Sequence, residues 1–364
     1  MIARQSVWTD PEVKELAAKF IPAADEVGRL QSGGDAECQL FRKIAEQGHY
    51  AGRTRPSRTR QGTYATTADG TFLASWNKND PRFVARKLRE ALENWDRLKA
   101  EGRKFLGEDP LEIALLNRAD RFFPEGGLVL KVNTRDLPRD SPQQRRWADA
   151  WNQDFAWFTK DEAEQFVAGK IGPGQTRAVP RTLVERLARF HFLDNVRGQT
   201  PPFPARAIED ATLTSRVTAV DGDVVSLRLE GRTKAVQKGD WSIRGFEDMN
   251  RPSGQERGLE MKLLGSARFD RKQGRFVGFE VVAVGTRRGG TQYNGRGNDL
   301  APAPFGAVLS LAAESRAERV APEHFRRYGG VGWNACKRIA NHGNRPTGPV
   351  GSCPLVVNPR RGGV

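Results

Sequence analysis

The stretch ATLTSRVTAVDGDVVSLRLE, residues 211 to 230, decides how the C-terminal half of the chain reads. Leu213, Val217 and Ala219 alternate with polar neighbours. After the turn Asp221-Gly222-Asp223 the alternation resumes at Val225, Leu227 and Leu229. A period of two puts one set of side chains on one face of an extended chain, so this is a hairpin with an apolar face. The pattern returns at Leu259, Met261, Leu263 and Phe269. Beyond the turn DRKQGR it continues at Phe279, Val281 and Ala283, and then at Ala307, Leu309 and Leu311. Period-two strands joined by short turns predict an antiparallel β domain over 206–321, a β-barrel or sandwich.

Upstream, residues 106–205 form a mixed α/β connector. LVLKVNTRDL, 128 to 137, is strand-like, and SPQQRRWADAWNQDFAWF, 141 to 158, begins as a helix. Thr159 and Glu162 have the spacing of a capping box. A helix starts at Thr182 and carries Leu183, Val184, Leu187, Phe190 and His191 until RGQTPPFP, 197 to 204, stops it.

In residues 1–105, Asp10-Pro11 opens a helix with Val13, Leu16, Ala17 and Phe20 on one face, and FIPAADEV follows as a strand. Asp35 caps a helix with Leu40, Phe41 and Ile44. GTYATTADGTFLASW, 62 to 76, is a hairpin about Asp69-Gly70. Asp80-Pro81 starts a helix with the stripe Val84, Leu88, Leu92, Trp95 and Leu98.

This order, helix, strand, helix, strand, strand, helix, resembles the C-terminal half of a thioredoxin-like domain over about 95 residues. DPEVKELAAKFIPAADEV looks like the end of that family's CxxC helix running into the central strand. TYATTADGTFLASW looks like its closing hairpin. The resemblance implies an incomplete thioredoxin-like α/β domain. No CxxC is present, the strands that would precede Trp8 are absent, and Gln61-Gly62 stands where the family has a proline. The fold class expected for the whole chain is therefore α+β and multidomain. From 322 to 364 the chain is rich in Gly, Pro and Arg with little periodicity, which reads as a basic flexible tail.

The 364 residues carry 59 Lys and Arg against 44 Asp and Glu, a net charge of +15. That balance favours an anionic partner, with nucleic acid among the candidates. The excess sits in loops and the tail: Arg53, Arg55, Arg58 and Arg60, then Arg287, Arg288 and Arg296, then residues 324–364, which hold no acid. No run of eighteen apolar residues crosses a membrane, and no apolar segment of signal length opens MIARQSVWTDPEV. A cytoplasmic location is the expectation. Three cysteines far apart argue against a disulfide framework.

Few residues carry chemistry. Cys38 falls in the first turn of its helix, where amides and the helix dipole lower a thiol pKa. Burial would instead make it a packing residue, and Glu37 opposes the thiolate. NTRDLPRD, 133 to 140, places Arg135, Asp136 and Arg139 where a strand ends, a position for ligand binding or for local ion pairs. GTRRGGTQYNGRGND, 285 to 299, offers Arg287, Arg288 and Arg296 to phosphates and Tyr293 to a base. His191 is a general base if Asp194 or Asp136 lies beside it, and otherwise a boundary histidine. His324, Cys336, His342 and Cys353 lack the close pairs of a zinc site, and no metal or cofactor is expected. The leading expectation is a non-catalytic interaction or scaffold protein. Its partner is a protein, and an exposed sheet edge gives it a route to oligomers. The alternatives are a thiol-dependent redox protein using Cys38 and a nucleic-acid-binding protein using the arginine loops and tail.

Overall fold

The computed structural model describes residues 7–8, 10–24, 27–51, 59–67, 70–78, 80–98, 122–139, 147–148, 150–167, 169–243, 254–315, 318–331 and 355–359. It divides into two compact units, one of 1–118 with 340–364, the other of 119–339.

In the first unit, α1 (Pro11–Ala17), β1 (Phe20–Ala24), α2 (Val27–Ser32), α3 (Ala36–Ala45), β2 (Thr63–Thr66), β3 (Phe72–Trp76) and α4 (Pro81–Arg97) follow in order. The starts of three helices are set by aspartates. The Asp10, Asp35 and Asp80 carboxylates accept the amides of Val13, Cys38 and Phe83, and Pro11 and Pro81 stand in the first turns, where no amide is missed. Val13, Leu16, Phe20, Ala74, Trp76, Val84 and Leu88 share one core. A second cluster packs Val27, Leu30, Cys38, Phe41, Ile44 and Tyr64.

The second unit is built on β4 (Leu128–Asp136), β5 (Trp151–Phe158), α5 (Lys160–Glu164), β6 (Thr176–Ala178), α6 (Arg181–Phe190), β7 (Ile208–Asp221), β8 (Val224–Gly239), β9 (Gln255–Asp270), β10 (Arg275–Arg288) and β11 (Ala303–Leu311). All eight strands lie in one antiparallel sheet, ordered β5-β4-β11-β10-β9-β8-β7-β6. The expected alternation is realised except at Ala219, which a register shift after Val217 leaves exposed. Leu213, Val217, Val225, Leu227, Leu229, Met261, Leu263, Val281, Ala307 and Leu309 are buried on the inner face. Gly222, at φ +54°, turns the β7–β8 hairpin.

The expectation of a closed barrel or a sandwich is corrected. The sheet is open, ending at β5 and β6. Its inner face is filled by Leu183, Val184, Leu187 and Ala188 of α6 and by Phe166 of the turn after α5, so these side chains supply the core that a second sheet or a closing wall would supply.

Three further expectations change. β4, β5 and β6 join the strands after 206 in the same sheet, so the boundary expected at 205 falls inside one structure. Residues 151–158 are a strand rather than the continuation of a helix. Residues 322–331 are not loose: a 3-10 turn over Phe325–Val331 buries Phe325 and Tyr328 against Val129, Phe155, Trp157 and Phe190.

Strand β12 (Leu355–Pro359) returns to the first unit. There it lies between β1 and β2, antiparallel to the first and parallel to the second, in a four-stranded sheet ordered β1-β12-β2-β3. The segment expected as a loose tail thus contributes a strand.

Candidate functional site

The two loops singled out by sequence meet. β4 delivers Asp136 to the inner side of the sheet, and the segment after β10 folds back so that Arg287, Arg296 and Asp299 reach the same place. The chain after α6 adds Asp194 and Arg197. Arg296 is fully buried. Its Nη2 donates to Asp136 Oδ1 and Asp194 Oδ1, both at 2.6 Å, and its Nε donates to Asp194 Oδ2 at 2.8 Å. Arg197 donates to Asp136 at 2.7 Å and lies 2.9 Å from Asp299. Arg287 donates to Asp299 Oδ2 at 2.6 Å, and Arg139 pairs with the same carboxylate. The loop is also pinned through its backbone. Gln199 N–H donates to the Tyr293 carbonyl at 3.0 Å, and a Cβ at Gly198 would come within 1.9 Å of that oxygen, so the approach requires glycine.

The charges hold one another. Burial alone would raise the pKa of Asp136, but Arg296 and Arg197 keep it below the usual carboxylate range. Asp299 is held down in the same way, chiefly by Arg287 and Arg139. Burial would lower the Arg296 pKa, and Asp194 and Asp136 raise it instead. The arginine loop expected to grip phosphates therefore spends Arg287 and Arg296 on internal carboxylates. Arg288 is paired with Glu256 at 2.8 Å, and Tyr293 is half-buried. A second arginine centre, at Arg257, differs in chemistry. Its donors go to neutral acceptors, Gln237 Oε1, Thr200 Oγ1 and the Pro201 and Pro202 carbonyls, and burial pushes its pKa down to about 10.

On the outer face of the same sheet the arrangement is the reverse. Strand register sets Arg135 across from Trp151 on β5 and from Gly306 on β11, and Gly306 across from Val284 on β10. The next row is Asn133, Val308, Val282 and Leu264. Gly306 contributes no side chain, and the Leu137 side chain lies over it, 2.8 Å from where a Cβ would stand. Around them is a groove of about 410 Å³ lined by Trp151, Leu137, Val282, Val284, Val308, Asn133 and Arg135. Its apolar walls face solvent: Trp151 is 42% and Val284 47% exposed. Arg135 is exposed. It donates to the carbonyls of Asp136 and Ala148 at 3.4 and 3.1 Å and makes no ion pair with a carboxylate among the described residues. It is the only charged residue among the described residues that line the groove.

The remaining candidates are structural in their surroundings. Cys38 is fully buried. Burial pushes its thiol up to about 12, against the pull of Arg29 and with help from Asp35 and Glu37, whereas redox chemistry needs a lowered value. Its Sγ lies 3.3 Å from Asp35 Oδ2 and 3.4 Å from the Arg29 carbonyl. The partner of His191 is neither Asp194 nor Asp136. Nδ1 lies 2.9 Å from Asp154, and Nε2 meets the Tyr328 hydroxyl. Asp154 also accepts the Glu323 amide at 2.9 Å, so this chain fastens the 3-10 turn to β5 and α6 in a place closed to solvent. Arg60 is buried and paired with Glu46. Arg53, Arg55, Arg58, Cys336, His342 and Cys353 lie outside the described residues.

Sequence reasoning found Arg135 but missed Trp151, Gly306 and the valines beside them. Their signal was the alternation of β10 and β11, whose outward positions Val282, Val284 and Val308 are apolar where polar residues are expected. No helix among the described residues is long and apolar enough to cross a membrane. Comparison with protein-family models, with curated proteins and with solved structures found no match to this chain.

Proposed function

We propose that the protein is a non-catalytic binding protein. The first unit, whose element order resembles a thioredoxin-like domain, serves as a scaffold. The second unit holds its partner on the outer face of the open sheet. One observation carries this reading: a solvent-facing apolar strip, Trp151, Val284, Val282, Val308 and Leu264, gathered around a groove. Its residues sit on four strands, β5, β11, β10 and β9, with Asn133 and Arg135 of β4 between Trp151 and the valines, roughly 19 Å from end to end at the usual strand spacing. Exposed apolar surface gathered in one place marks an interaction site. Two observations weigh against the alternatives. Cys38 is buried with a raised pKa, and the arginines of 285–299 are engaged with internal acids.

The test is fluorescence titration with Nile red, a neutral apolar probe, on the wild type and on Val284→Lys. The lysine is expected to fold normally, because the site faces solvent, and to weaken probe binding at least tenfold. Equal binding by the two proteins would reject the groove as the binding face.

A further inference from the structure

The groove's lining narrows what it receives. We propose that it binds a small ligand with an apolar body and a single carboxylate, and that Arg135 is the counter-ion. This rests on the groove being the binding face, as argued above.

The charge argument comes from comparing arginines within one neighbourhood. Arg139, Arg197, Arg287 and Arg296 each have an aspartate partner. Arg135, one residue from Asp136, has none among the described residues, and the described lining of the groove contains no acid. A guanidinium presents its donors in a fork that matches a carboxylate, and an apolar body laid on the neighbouring strip would shield that pair from water. Residues directly across an antiparallel pair stand about 5 Å apart, so the Trp151 ring and the Arg135 head border the same space. The Asn133 amide, one row away, supplies a further hydrogen bond. The net charge of +15 adds a general attraction for anions.

Size and backbone separate a small molecule from a peptide. About 410 Å³ lies within the roughly 300–1,000 Å³ of small-molecule clefts. The groove is floored by β4, β11 and β10, each already paired on both sides, so no extended peptide can add to the sheet there. Recognition falls to shape, to the apolar strip and to Arg135.

Isothermal titration with octanoate and with 1-octanol tests the inference, on the wild type and on Arg135→Gln. Octanoate is expected to bind the wild type at least tenfold tighter than octanol. Arg135→Gln should erase that preference while leaving octanol binding unchanged, and raised salt should weaken octanoate alone. Equal affinity for the two probes in the wild type, or a preference that survives in Arg135→Gln, overturns the carboxylate inference and leaves the groove standing as an apolar site. If neither probe binds and Nile red is indifferent to Val284→Lys, the groove itself is rejected along with it. Circular dichroism of both variants confirms that any loss is not a loss of fold.

Discussion

The last two residues of β4 face opposite ways and meet opposite fates. Asp136 turns inward to a cluster in which arginines and aspartates satisfy one another behind the sheet. Arg135 turns outward to a groove whose walls are apolar, with no carboxylate among the described residues to hold it. The two sites share a strand end and a residue type. What separates them is partner supply. Inside, three aspartates come from three segments of chain to four arginines, and the cluster works as a clasp that closes the loop over 289–301 onto the sheet. Outside, Arg135 has only backbone carbonyls as partners among the described residues.

The comparison breaks most visibly if the inner clasp is not needed. Arg296→Met leaves Asp136 and Asp194 buried without their main counter-ion. It is expected to cost about 3–5 kcal/mol, the range for removing one partner of a buried pair. Chemical denaturation followed by tryptophan fluorescence measures it, and a change below about 1 kcal/mol would mean that the cluster holds little.

Acid sharpens the contrast next. His324 is buried, its Nε2 has no partner among the described residues, and burial pushes its pKa down to about 3. The unfolded chain binds that proton at its ordinary 6.5. Stability is therefore full above that value and drains as pH falls from 6.5 toward 3. The lowered pKa values of Asp136 and Asp299 add a further loss only below about 4, the ordinary carboxylate value. His324→Gln should flatten the upper part of this slope, between pH 6.5 and 4, and leave the lower part. An unchanged slope would assign the upper part to another group.

The smallest effect is expected outside. Arg135→Gln removes an exposed charge that has no carboxylate partner among the described residues, and it should shift stability by no more than about 0.5 kcal/mol in the same denaturation experiment. A larger loss would make Arg135 a structural residue and draw the two sites together.

Much of the architecture could be read from local chemistry, because local chemistry made it. The aspartate caps at 10, 35 and 80, the capping box of Thr159 and Glu162, and the alternation after Ala211 each act over a few residues. β5 escaped because its two faces are both covered. Phe155 and Trp157 lie under Phe325 and its neighbours while Ala156 and Phe158 enter the main core, so no polar alternation marks it. The open sheet escaped because nothing along the strands announces that α6 fills their inner face. At the candidate site the residue types were visible but their partners were not: Asp136 and Arg296 are 160 positions apart. Which of Arg135, Arg139, Arg287 and Arg296 stays without an acid depends on strand register and on which side of β4 each one faces. Gly306 shows the same limit, since a missing side chain has meaning only once its neighbours across the sheet are known.

The position of β12 has a consequence for how the molecule is made. The strand that completes the first sheet comes from residues 355–359, and the whole of the second unit, 119–339, is spelled out before it. A ribosome therefore releases the material for the second unit while the first still has β1 on one side of a vacant place and β2 on the other. The unit begun first is finished last, and its two outer parts must wait, with strand edges unpaired, for a segment more than 270 residues downstream of β3. During that interval the first unit is the part of the nascent chain that needs shielding from other chains.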